Sequence, residues 1–185
     1  MTPTERATGL TEREPCGVAG DGPLDDPRIT LLGMFLEAHA GLTRELERRL
    51  DRDAGLSLQW FEVLLRLVRT PSHRLRMSDL AAQTTLTASG LTRAVDRLEG
   101  AGLVRREACP SDRRGAFAVL TDDGRTRVVD AMPQHLAHID ELLGRFSADE
   151  LTFVEQILRR LRSATNPDAE RASDCPPEAD DAATG

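Results

Sequence analysis

The stretch from Met77 to Leu120 constrains the fold more tightly than any other: it reads as a short helix, a turn, a longer helix and two short strands. "RMSDLAAQTT" is long enough for about two helical turns. Thr87 then stands where an N-cap belongs, ahead of "ASGLTRAVDRLEGAG". In that segment Leu91, Ala94, Val95 and Leu98 recur at threes and fours and so share one face. Gly102 suits the left-handed position just past the helix end. "LVRREA" and "GAFAVL" follow as strand candidates, six residues apart. The order is that of a winged helix-turn-helix.

Helices flank this unit. From Arg28 to Asp53, Leu32, Phe35, Leu36, His39, Leu42, Leu46 and Leu50 keep a helical period. Ser57 caps "LQWFEVLLRLVR", whose apolar residues cover most of its circumference, which predicts a buried central helix ending before Pro71. Thr121 caps the next helix, with Asp122 and Asp123 in its first turn. Val128, Met132, Leu136, Ile139 and Leu143 are its predicted stripe, and Pro133 should kink it. Ser147 and Glu150 form a capping box for the last helix, which carries Val154, Ile157, Leu158 and Leu161. The predicted class is mainly α with a small β-hairpin wing. Residues 1–27 and 165–185 lack an apolar period and read as disordered acidic tails.

Charge divides along the same lines. The chain is −7 overall, yet residues 66–127 carry 12 Arg against seven acids. A basic middle between acidic ends points to a polyanion at that middle. All 24 basic residues are Arg, which offers planar, bidentate recognition that Lys lacks. A helix fits the major groove of duplex DNA. The outward face of the second helix of the unit holds Ser89, Gly90, Thr92, Arg93, Asp96 and Arg97, behind its cap Thr87. Arg93 is placed to read a guanine, and Gly90 suggests close approach of a DNA backbone. Between the strand candidates, Asp112 and Arg114 would share a face, with Arg113 opposite. Asp112 could then hold Arg114 in a fixed direction for the minor groove.

"MSDLAAQTTLTASGLTRAVDRLEGAGLVRREACPSDRRGAFAVLTDDG" resembles the DNA-binding core of the MarR family of transcriptional regulators. The resemblance rests on Leu80-Ala81, Thr92-Arg93, Val95 to Glu99, Gly102 to Val104 with Arg106, Asp112 with Arg114, Leu120-Thr121 and Gly124. It implies a ligand-responsive homodimer on a palindromic operator, usually a repressor. The domain layout expected is 28–164, with 28–54 and 122–164 as dimerisation helices and 57–120 as the winged unit. Family ligands often sit between these regions, which makes His39, Trp60 and Glu62 candidate effector residues. For His39 and Trp60 plain packing is the competing reading, and for Glu62 pairing with an Arg.

Other signals are weaker. Cys109 near Arg105, Arg106 and Arg113 raises redox sensing as an alternative. Family members that sense oxidants typically use a cysteine near the first helix, and Cys16 falls in the predicted tail. His135 and His138, at i and i+3, could share a metal, but no further ligand is near and a solvated polar face is favoured. No metal or cofactor is expected. No phosphate-binding glycine loop, nucleophile elbow or HExxH occurs, so an enzyme is not expected. A winged module that binds protein instead would not need Arg93, Arg97, Arg113 and Arg114. The polar N-terminal residues form no signal peptide and no run of about 20 apolar residues spans a membrane, which predicts a cytoplasmic protein.

Overall fold

The computed structural model describes residues 22–109 and 112–168, and the side chains of all of these but 112–114. Its elements run α1 (Pro27–Ala54), α2 (Leu58–Arg69), β1 (Arg74–Arg76), α3 (Met77–Gln83), α4 (Ala88–Gly100), β2 (Val104–Cys109), β3 (Asp112–Leu120), α5 (Asp122–Leu143) and α6 (Ala148–Thr165). The fold is thus mainly helical with one small antiparallel sheet. Among the described residues no helix is long and apolar enough to cross a membrane.

The chain divides within α1, between Leu42 and Thr43. In the first unit a short 3-10 turn, Pro23–Asp25, precedes the helix. Asp26 accepts the Arg28 backbone N–H at 2.8 Å and pairs with its guanidinium. Regular structure therefore begins ahead of residue 28, where the sequence predicts a tail. A local carboxylate satisfying a helix-start N–H is the reason. Leu31, Leu32, Met34, Phe35 and Leu36 of this segment are exposed.

The second unit is built around α2. Ser57 caps it by accepting the Trp60 N–H at 3.2 Å, and Phe61, Val63, Leu64 and Leu67 are buried. Leu80 of α3, Leu91, Val95 and Leu98 of α4, Val104 and Ala118 of the sheet, and Val128 and Ala131 of α5 close around them. Full burial of one such leucine stabilises by about 1.5–3 kcal/mol. The sheet order is β1-β3-β2, with Leu75 opposite Ala118 and Arg106 opposite Ala118 on the other edge. β1 has no counterpart in the sequence reading. Its three residues carry no period of their own and become a strand only by pairing with β3.

Gly124 seats α5 against the α4–β2 turn: a Cβ there would run into the Leu103 carbonyl oxygen. Thr121 holds the same junction, donating its hydroxyl to the Gly102 carbonyl at 2.8 Å and accepting the Gly124 N–H at 3.0 Å. α5 continues as one helix across Pro133. Its buried face is Gly124, Val128, Ala131, His135 and His138, whereas Leu136 and Leu143 of the predicted stripe are exposed. The solvated face expected for the two histidines is therefore corrected: both lie inside. His138 Nε2 sits 2.8 Å from Asp53 Oδ2, and the His135 ring packs 4.5 Å from that of Phe61. The last turns of α1 are further tied to α5 by Arg49–Glu141 and by Arg127 donating to the Ala54 carbonyl, each at 2.5 Å. α6 opens with the expected Ser147–Glu150 capping box but buries no residue. Past its end, Asn166 Nδ2 donates to the Ala82 carbonyl at 3.1 Å, so the chain stays engaged beyond 165.

Candidate nucleic-acid interface

α4 presents the outward face its sequence predicts. Leu91, Ala94, Val95 and Leu98 are buried, while Thr87, Ser89, Thr92, Arg93, Asp96 and Arg97 are exposed. The Thr87 hydroxyl accepts the Gly90 N–H at 3.1 Å, satisfying one of the open N–H groups of the first turn. Gly90 itself is half-buried. A Cβ there would stand 3.1 Å from the Thr87 hydroxyl, so the cap gives a local reason for the glycine that needs no DNA. Thr92 returns its hydroxyl to the Ala88 carbonyl at 3.0 Å. Arg93 Nε lies 3.3 Å from the Ser89 carbonyl, which lays the side chain back over the first turn. Among the described residues neither Arg93 nor Arg97 makes an ion pair.

The turn that carries α4 is held from behind. Glu62 of α2 accepts the Thr85 N–H on one oxygen and the Thr85 hydroxyl on the other, both at 2.8 Å. Its expected Arg pairing gives way to this bond to the turn, and both carboxylate oxygens are occupied. Trp60 packs against the core. His39 is exposed and belongs to the unit ending at Leu42. The structure thus assigns two of the three effector candidates other contacts.

β2 and β3 form the wing. β3 already starts at Asp112, so Asp112, Arg113 and Arg114 have strand backbone and are not part of a loop. Their side chains, and with them the Asp112–Arg114 clamp, lie outside the described residues. At the base of the wing the guanidinium groups of Arg74 and Arg76 stand 4.1 and 5.4 Å from the centre of the Phe117 ring. Arg105 pairs with Glu107. Cys109 is buried in a small cluster with Phe117 and Val119. An oxidant-sensing thiol requires access that this position does not give. Among the described residues no group of three or more side chains could hold a metal.

Arg106 is a residue that the outward face of α4 does not by itself single out. From β2 it reaches across to α4, pairing with Asp96 at 2.6 Å and approaching Glu99 at 3.9 Å. It also donates to the Thr92 carbonyl at 3.3 Å, while Glu99 accepts the Arg106 backbone N–H at 2.9 Å. The sequence does carry a signal for this: acids at 96 and 99 lie one turn apart on α4, and an Arg follows just past the Gly102 turn.

Comparisons with known proteins agree with this geometry. The profile of the MarR family matches residues 54–115. HTH-type transcriptional regulator MhqR of Bacillus subtilis (strain 168) is 33% identical over 138 residues, covering 75% of this chain and 93% of that protein. Sco3205 of Streptomyces coelicolor, a MarR family transcriptional regulator solved in complex with DNA, is 35% identical with a TM-score of 0.70, covering 75% of this chain and 88% of that one. A mutant MarR of E. coli complexed with operator DNA is 25% identical with a TM-score of 0.64, covering 76% and 99%.

Proposed function

The chain belongs to the MarR family of transcriptional regulators, and from that premise we propose that it binds a palindromic operator as a homodimer and represses by occupying it. It is a regulator, not an enzyme. The observation that carries the reading is α4: its buried face fixes it in the core, while Ser89, Thr92, Arg93 and Arg97 face outward. In this reading the first half of α4 enters the major groove, with Arg93 bidentate to a guanine. Thr87, Ser89, Thr92 and Arg97 fix register on the phosphates. In the same reading Arg113 and Arg114 of the wing contact the adjacent minor groove.

The dimer is supported by the flanking helices. Phe153, Val154, Ile157, Leu158 and Leu161 of α6 are all exposed, an apolar area that a monomeric protein rarely leaves open. A second copy would cover it and set two half-sites about one helical turn apart. Ligand response is proposed from family membership. Among the effector candidates Glu62 is the weakest, because Thr85 already takes both its oxygens.

Selection of bound sites from random duplex DNA tests the proposal, with the mass of the complex measured alongside. A two-fold symmetric motif bound by two chains is expected. Enrichment of no motif, together with binding that is insensitive to salt, would refute it and favour a protein-binding module.

A further inference from the structure

The face that α4 would offer to DNA carries one carboxylate, Asp96, and Glu99 is exposed one turn further along the helix, beside β2. Both side chains are about half exposed, at 52% and 42%. Carboxylates beside a phosphate backbone oppose binding. They also threaten the reading arginines. Asp96 is three residues after Arg93 and adjacent to Arg97, and an i, i+3 Arg–Asp pair on a helix surface forms readily. Yet Asp96 is turned to neither, because its Oδ1 is held by Arg106. Arg106 is only a third exposed and is fixed at both ends: its backbone N–H by Glu99, its guanidinium by Asp96 and the Thr92 carbonyl.

We propose that Arg106 is a positioning residue for DNA recognition: it binds the α4 carboxylates Asp96 and Glu99, and so leaves Arg93 and Arg97 available for DNA. The inference rests on α4 being the DNA-reading helix. Arg106 acts here without touching a base. Its guanidinium cancels a charge that phosphate would meet and withholds Asp96 from Arg93. An Arg suits the task better than Lys, since one planar fork meets a carboxylate and a carbonyl together.

The experiment measures binding of the full chain to a mixed-sequence duplex about two helical turns long, at about 0.05 M and about 0.2 M salt. Wild-type binding that weakens with salt establishes the DNA reading by itself. Its absence sinks that reading before Arg106 is at issue. Given binding, Arg106→Ala is expected to lose about tenfold at the lower salt and about threefold at the higher, because the repulsion it unmasks is screened. Arg106→Ala with Asp96→Asn restores the wild-type charge of the patch and should recover affinity to within about threefold. Asp96→Asn alone should bind at least as tightly as wild type. A merely structural brace is lost in both Arg106 variants and is not recovered by Asp96→Asn. The proposal is overturned if the double variant, shown folded by circular dichroism, stays as weak as Arg106→Ala. It is equally overturned if Arg106→Ala binds like wild type.

Discussion

Arg93 and Arg97 sit one turn apart on the same exposed face, yet their positions ask different things of them. Arg93 is in the first half of α4 and bends toward the Ser89 carbonyl, whereas Arg97 belongs to its last turn. Arg93→Ala should relax preference at one base pair of each half-site, at a cost of about 1–3 kcal/mol. Arg97→Ala should weaken all sequences alike. Site selection with both variants separates them, and unchanged preferences for Arg93→Ala would remove its reading role. His135 belongs to this scale too. Burial holds its imidazole below the ordinary 6.5, and the neighbouring His138 pushes the same way. On acidification the unfolded chain takes up that proton before the folded one, so this contribution is present above 6.5 and lost as pH falls below it. Asp53, held at about 2 mainly by Arg52, loses its contribution only as pH falls from 3.8 toward that value. The melting temperature should therefore drop between about pH 7.5 and 5.5, and His135→Phe, which keeps a ring against Phe61, should flatten that drop. An unchanged pH profile in the variant would exclude His135 as its source. The burial of these histidines was legible in principle. Val128, Ala131, His135 and His138 continue one stripe at threes and fours, but two polar names hid it behind the more apolar stripe through Leu136.

Elements are legible in the sequence where a local rule decides them. Ser57, Thr87, Thr121 and Ser147 all cap the helices expected of them, since a side-chain oxygen meeting a first-turn N–H needs only near neighbours in sequence. β1 escaped because strand pairing is a property of two distant segments, here Arg74–Arg76 and Phe117–Val119. The Glu62–Thr85 and Arg106–Asp96 contacts escaped likewise, as both join residues on different elements. The α4–β2–α5 junction gives a sharp test at this scale. Gly124→Ala places a methyl against the Leu103 carbonyl, and α5 cannot retreat without opening the Val128 and Ala131 packing behind it. Overpacking of this kind costs about 1–3 kcal/mol, read as a lowered urea midpoint. A midpoint equal to wild type would show that the junction yields freely.

At the scale of the whole molecule, charge and exposed apolar surface lie on different segments. Residues 1–21 and 169–185 hold six of the seven net negative charges. Competition of those acids with phosphate predicts that residues 22–168 alone bind nonspecific DNA more tightly than the full chain at low salt, with the gap closing near physiological salt as the screening length falls to about 8 Å. Equal affinity at low salt, with both species of the same mass, would reduce the tails to solubilising segments. Leu158→Glu on α6 should convert a dimer into a monomer in sedimentation, because it puts a charge into the surface the second copy is proposed to cover. A sedimentation coefficient unchanged from wild type would place the subunit contact elsewhere. No residue of α6 is buried, and surface segments of this kind open at a lower cost in free energy than the core. Proteases act on what opens. Under the pairing proposed above, a newly made copy that has met no partner is the one most easily degraded, while paired copies persist. Abundance would rise more steeply than synthesis, giving the regulator a threshold that operates before any operator or ligand is involved.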